Sequence, residues 1–528
     1  MNAYLLDLGA DHAPSGRVYK FRGANGARAW PIDGGRQLGS CGIWNFLWRL
    51  GVNAIDCSLD SLPQPGSAIV WASAEPELNP QRLAGLRDWM NSGGYVVATG
   101  DARVWADVLG WQRGDWASTH SHPPYAGIAA VMPGRSAGLV APPRWTFNTC
   151  QSPPPDARVL GSLHHVNGER QTPGRALLSA AVGPAIVAGR QYCFLNGAPF
   201  AALQAWLQGQ EDLQPWLAWR HRLFWLDEWV SAMAMTLSEL PALPANLPRP
   251  GIKGLGATTV VLRHDVDHSR DVAYLEEETR RRIPATYAVL RDGNTAFWRD
   301  ALGGHPDHEC ALHYNTGGRD WLREGRTRLR GQGAAPLQPR RADFTGDGLL
   351  RQVRWAQSQR VGVASLHRHL FFQVYPEWVD ALDHVFESEA AVHGASSMFR
   401  AQVLRWGTER VDGVAGTVGE WPDPQYPFWL PYKLANAARG GQRLRGWETA
   451  SVMECEPEFV DQLLRHPLPH LPQRVVTIGY HPAHAKGTTF HASGSFDTFT
   501  RVLDVIASHR TGIERADRVF ALANAVVA

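Results

Sequence analysis

Two kinds of hydrophobic pattern alternate along this chain. Short continuous apolar runs, which read as buried strands, are separated by stretches with a helical period. In the first half, residues 42–50 predict a helix and 54–56 a short strand. Residues 68–72 (Ala-Ile-Val-Trp-Ala) are apolar throughout and predict a fully buried strand. Residues 79–92 place Leu83, Leu86 and Met90 on one helix face, and Gly93-Gly94 closes that helix before a strand at 95–100. Strand, capped helix and strand at this spacing make a parallel βαβ unit. Residues 113–175 are rich in Pro, Gly and Ser with little periodicity, so loops and small antiparallel strands are expected there. Runs at 185–188 and 191–195 return to the sheet, 201–207 predicts a further helix, and 216–235 is a Trp-rich helical stretch.

Residues 240–252 are dense in proline and read as a linker. It divides the chain into an N-terminal domain over 1–239, with 113–175 as its loop-rich insertion, and a C-terminal domain over 253–528. The second half repeats the strand–helix pattern. Strands are predicted at 258–262, 283–290, 309–312, 361–365 and 474–480, with helices at 270–282, 294–302 and 347–359. Ser269 is the expected N-cap of the first of these helices. The whole is α/β.

The first strand of the second half ends in Arg263-His264-Asp265-Val266-Asp267-His268. Two carboxylates one residue apart at the end of a buried strand carry a desolvation cost unless paired, and a metal ion or catalysis is the usual reason to keep both. The alternative is an N-cap with a surface salt bridge. Other strands end similarly: 309–312 at His313, 361–365 at Leu366-His367-Arg368-His369, and 474–480 at His481. In a parallel barrel the carboxyl ends of the strands converge on one face, where active sites are built. His305, His384, His393, His466, His470, His484 and His491 fall in predicted loops or on polar helix faces and read as non-catalytic.

Composition narrows the function classes. Charged residues make up 19% of 528 and the net charge is +2, so neither nucleic acid nor membrane insertion is implied. Arg280-Arg281-Arg282 ends a predicted helix, where positive charge suits the dipole. The 22 tryptophans are chiefly packing residues with a mild carbohydrate flavour. Trp421, Phe428 and Trp429 are candidates to line a sugar cleft or to pack over the barrel mouth. Six scattered cysteines show no paired spacing, and no basic region with a long apolar stretch opens the chain. A reduced, cytoplasmic protein is expected on those grounds.

The second half resembles the NodB-like polysaccharide deacetylases (carbohydrate esterase family 4 and relatives), in the branch whose first motif reads Arg-His-Asp-Val-Asp. Leu262 to Asp267, Pro284 to Val289, His308 to Tyr314, Ser365 to Arg368 and Tyr480-His481-Pro482 carry the likeness in order, over roughly 255–500. The resemblance implies a distorted (β/α) barrel and a hydrolase that removes an N-acetyl or other acyl group from a sugar or polysaccharide precursor. It also implies a divalent metal, Zn2+ in the first instance. Asp265 is then the general base, His481 the general acid, and Asp267 and His313 metal ligands. Arg263, Arg368 and His264 are candidates to orient the aspartates. The common second histidine, four residues past His313, is Gly317 here, so His367 is taken as the third ligand with His369 as the alternative.

The N-terminal half, through residues 83–100, resembles the class I glutamine-amidotransferase-like fold, a flavodoxin-like α/β sandwich. The Gly-x-Cys-x-Gly elbow of that family is absent, because Ser40-Cys41-Gly42 lies too early and precedes a helix. A binding or orienting domain is expected rather than a glutaminase. The substrate is accordingly expected to be a carbohydrate or acylated small molecule. Two other readings stay open: hydrolysis of a non-sugar C–N bond on the same fold, and a degenerate deacetylase serving as a binding or scaffold protein.

Overall fold

The computed structural model describes residues 2–6, 8, 20–23, 26–29, 38–50, 52, 54–74, 78–112, 116–119, 125–131, 137–141, 147–167, 178–197, 199–200, 233–243, 251–291, 294–315, 346–369, 384–386, 388–389, 392–397, 431–436, 442–465, 473–486 and 495–525. The chain forms two compact units, one of Met1–Phe21 with Ala27–Arg249 and one of Arg22–Gly26 with Pro250–Ala528. Among the described residues no helix is long and apolar enough to cross a membrane.

The first unit is built on one sheet. Strands Ala54–Cys57, Asn2–Leu6, Ala68–Ala74, Tyr95–Gly100 and Tyr192–Asn196 lie side by side in that order, all parallel. Counted along the chain, their order is 2-1-3-4-5. Leu178–Ala188, Arg158–Asn167, Tyr125–Val131 and Ala137–Ala141 extend the sheet antiparallel. The Ala68–Ala74 strand is buried at every position, as its unbroken apolar run requires. The expected helix at 79–92 is instead a 3-10 turn, Pro80–Leu83, followed by helix Ala84–Asn91, yet Leu83, Leu86 and Met90 are all buried. Helix Ala102–Leu109 has clear local causes. The Asp101 carboxylate accepts from the Arg103 and Val104 amides at its start, and Gly110 takes φ 73° at its end. The predicted stretch at 201–207, most of 216–235 and the proline run at 244–250 lie outside the described residues, as does the side chain of Cys41.

In the second unit seven parallel strands follow one another in space: Ala285–Val289, His308–Asn315, Gly362–His369, Gly394–Ser397, Gln442–Met453, Arg474–Tyr480 and Thr258–Asp265. Thr258–Asp265 also pairs with Ala285–Val289, through Arg263, His264 and Asp265, so the described strands close into a ring. The lower part of that same edge is covered by Gly512–Glu514. Helices Ala273–Arg281, Thr295–Gly303, Gly346–Ser358, Pro457–Arg465 and Phe496–Ser508 each follow or precede a ring strand in sequence. Trp298, fully buried, donates its indole N–H to the Ser269 carbonyl and fixes the loop after the first strand.

Three local readings change. Ser269 does not cap the helix; it accepts from the Asp271 amide, Asp271 accepts from the Ala273 amide, and the helix begins at Ala273. The strand expected at 361–365 runs on to His369, so His367 and His369 stand on the strand and not beyond it. Gly394–Ser397 and Gln442–Met453 are additional ring strands that the apolar pattern does not reveal.

Candidate active site

Alternation along Thr258–Asp265 sends Arg263 and Asp265 to one face and His264 to the other. Arg263 donates to Asp265 at 2.6 Å, and both side chains are almost wholly buried. His264 turns into the core instead. It is paired with Glu278 at 2.7 Å, packed on Tyr287 and Tyr274, and takes no part in orienting the aspartates. Tyr287 donates to the other Glu278 oxygen at 2.7 Å, which completes a buried polar network behind the strand.

Asp267 lies in the left-handed region, φ 46°, a conformation that costs a non-glycine residue ~1–3 kcal/mol and clusters at functional sites. The bend returns its carboxylate to the strand ends. His313 Nε2 is 3.5 Å from Asp267 and 3.9 Å from Asp265, and His481 Nε2 is 4.0 Å from Asp267. His313 Nδ1 lies 3.2 Å from the His367 carbonyl, so Nδ1 carries a proton and Nε2 faces both aspartates. His313 and His367 are direct neighbours in strand register. The His367 ring approaches Ser365 through Nε2 at 3.2 Å, and its Nδ1 is buried with no hydrogen-bond partner among the described residues. Arg368 and His369 stand on the same strand, but their side chains lie outside the described residues, as do Trp421, Phe428 and Trp429.

Sequence reading misses the acidic partner of His481. Glu454 accepts from His481 Nδ1 at 2.9 Å and from His484 Nδ1 through the same oxygen. Like Asp267 it has positive φ, 48°, and it directly follows the ring strand Gln442–Met453. His484, read from sequence as a loop histidine, thus joins the site. Among the described residues, Glu454, His481 and His484 bring ligand atoms within 4.8 Å of one another. The two Nδ1 atoms already converge on one carboxylate oxygen, an arrangement that suits N–H donors.

The electrostatics separate the groups. Burial pushes the Asp265 carboxyl up, but Arg263 and the imidazoles of His313, His481 and His367 hold it down at about 2. Burial pushes His481 down, but the Glu454 hydrogen bond and charge, with Asp267 and Asp265, lift it to about 9. Burial, with the Arg263 charge adding, holds His367 well below the usual histidine range. The cluster therefore contains a carboxylate that stays ionised, a cationic imidazole and a neutral one.

Arg263 is the counter-ion on which Asp265 depends. Arg263→Met is expected to destabilise the fold by about 3–5 kcal/mol in urea unfolding, because it leaves a buried carboxylate uncompensated. The Asp265 carboxyl should rise with it. An unchanged unfolding midpoint contradicts this.

The donor types at the strand ends suit a divalent cation, but the three described residues whose ligand atoms lie within 4.8 Å of one another are Glu454, His481 and His484. The Asp265 Oδ1 and His367 Nδ1 atoms are buried without hydrogen-bond partners among the described residues, and His313 Nε2 faces two carboxylates. Oxygen and imidazole donors of this kind suit zinc and related first-row ions.

A scan of protein families finds none that matches this chain, and no curated protein matches it. Two solved structures share similarity with parts of it. An α-L-fucosidase (isoenzyme 2) from Paenibacillus thiaminolyticus aligns at 14% identity and a TM-score of 0.25, over 34% of this chain. The match spans only 28% of the fucosidase's length. A Bordetella bronchiseptica protein, provisionally described as a polysaccharide deacetylase involved in O-antigen biosynthesis, aligns at 12% identity and a TM-score of 0.24, over 51% of this chain and 90% of its own. Likenesses of this size assign no activity.

Proposed function

We propose that the second unit is a NodB-like, divalent-metal-dependent hydrolase that removes an N-acetyl or related acyl group from a carbohydrate. The observation that carries this reading is the convergence of Asp265, Asp267, His313 and His481 at the carboxyl ends of parallel ring strands. Asp267, His313 and His367 would hold the cation. A bound cation would polarise the acyl carbonyl and acidify a water.

The chain's own groups supply the proton traffic. Water adds to the acyl carbon while Asp265 takes its proton; the C–N bond then breaks as His481 gives its proton to the departing nitrogen, yielding acetate and a free amine. Asp265 is always ionised but, held near 2, is a weak base. Arg263 thus secures its charge at the cost of basicity. Glu454 keeps His481 charged, and an amine leaves poorly unless protonated. The first unit, with strand order 2-1-3-4-5, is proposed as a flavodoxin-like, amidotransferase-type domain without its nucleophile, a binding domain for the substrate or a partner.

The test is zinc stoichiometry and acetate release from N-acetylated chito-oligosaccharides and nucleotide sugars. Asp267→Asn preserves shape, and Asn tolerates the left-handed backbone, so the fold should persist while zinc binds about 100-fold more weakly, as followed by competition with a chromogenic chelator. Zinc that survives Asp267→Asn and His313→Ala but disappears in Glu454→Ala would place the ion among Glu454, His481 and His484 and overturn the assignment.

A further inference from the structure

The Arg263 guanidinium reaches beyond Asp265. Its Nη2 donates to Asp265 Oδ2 at 2.6 Å and to the Met453 sulfur at 3.3 Å. Nη2 carries two protons, and a carboxylate oxygen and a thioether sulfur are both acceptors, so each proton has its own partner. Met453 ends the ring strand Gln442–Met453 and stands in register with Gly479, which stands in register with Arg263. The three residues form one row across three neighbouring strands, with the glycine in the middle. A glycine inside a strand packs nothing and costs conformational entropy, so it marks a place where another group comes close. Here that group is Met453: a Cβ at Gly479 would overlap its Sδ and crowd its Cε. Gly479 is the gap through which an unbranched, adaptable side chain crosses to Arg263.

We infer that Met453, admitted by Gly479, is a positioning residue that pins the Arg263 guanidinium on Asp265 and so orients that carboxylate for the reaction. The inference rests on the proposed hydrolase, in which Asp265 takes the proton of the attacking water. With an acceptor for each Nη2 proton, the plane of the guanidinium is set from two sides. With the sulfur gone, Nη2 is held on the Asp265 side only, and the ion pair persists while its geometry loosens. Sulfur is a weak acceptor, so the contribution of Met453 lies in geometry and not in charge. Geometry is enough to matter, because a misplacement of about 1 Å can cost ~100-fold in rate.

Variants of the full chain, supplied with zinc, test this. Met453→Leu keeps the volume and removes the acceptor, so the urea midpoint, zinc stoichiometry and KM should hold while kcat for acetate release falls ~10–100-fold. Gly479→Ala leaves Met453 in the sequence but denies it the gap, and should lower kcat to a similar degree. In a Met453→Ala background nothing remains to be displaced, so adding Gly479→Ala should lower kcat no further. A second measurement does not depend on activity. In the arginine-nitrogen-labelled chain, the Arg263 Nη protons, assigned by their loss in Arg263→Met, should exchange with water several-fold faster in Met453→Leu and in Gly479→Ala than in the wild type. A wild type that releases no acetate from the substrates named above overturns the hydrolase reading itself. An active wild type whose Met453→Leu variant keeps both its kcat and its slow Nη exchange overturns the positioning role alone. A loss in Gly479→Ala that adds in full to that of Met453→Ala does the same. If Gly479→Ala fails to fold, Met453→Leu decides the matter by itself.

Discussion

Asp265→Asn is expected to slow acetate release by about 1,000-fold while zinc still binds, because it removes the proton acceptor and leaves Asp267 and His313 in place. The same change strips Arg263 of its buried counter-ion, so stability should fall by about 3 kcal/mol. The two effects separate experimentally. Urea unfolding reads the second, and rates measured below the unfolding transition read the first. Pairing Asp265→Asn with Arg263→Met should restore much of the stability and none of the rate. An Asp265→Asn protein that is folded, zinc-loaded and as fast as wild type removes Asp265 from the chemistry.

His481 in the metal-free protein is expected to titrate at about 9, and Glu454→Gln should return it toward the ordinary value near 6.5. The sign follows from the direction of the shift. A histidine raised on folding stabilises the protein fully below about 6.5, and that stability is lost as pH rises through about 9. The lost contribution is about 3 kcal/mol, from a difference of roughly 2.5 pH units. As the proposed donor to the leaving nitrogen, His481 would have to be protonated, so activity should decline on the alkaline side. In Glu454→Gln that decline should begin at lower pH and kcat should fall ~100-fold, which a merely structural role for Glu454 does not require. Proton NMR of the His481 ring and a pH–rate profile check both parts. An alkaline limb that stays in place in Glu454→Gln separates Glu454 from the acid.

Much of the site could be read from the ends of strands. Asp265, Asp267, His313 and His481 follow apolar runs whose burial is unambiguous, and in a parallel ring the carboxyl ends share one face. Glu454 obeys the same rule and escaped it, because the strand before it does not look like one. Gln442-Arg443-Leu444-Arg445-Gly446-Trp447-Glu448 mixes charges into the run, although Trp447, Thr449 and Val452 are buried. Glu278 and Glu309 were illegible for a different reason. The pairing of Glu278 with His264 and of Glu309 with Ser365 exists only once a helix and neighbouring strands have packed. No spacing along the chain encodes it. His264 shows the opposite error: adjacency to Asp265 makes it look like a site residue, and the two-residue period of a strand turns it away.

Within the ring, Thr258–Asp265 lies against Arg474–Tyr480 in register from Thr258↔Arg474 to His264↔Tyr480. Those partners are separated by roughly 200 residues of chain, the kind of distant pairing that forms late because its loop-closure entropy must be met first. Asp265 and His313 belong to strands that can associate early, whereas His481 arrives with the last ring strand. A growing or truncated chain would thus acquire the proposed cation-holding residues before the proposed proton donor. On the proposed mechanism, catalytic competence would be a property of the finished ring, and acetate release during refolding is expected to begin only with closure.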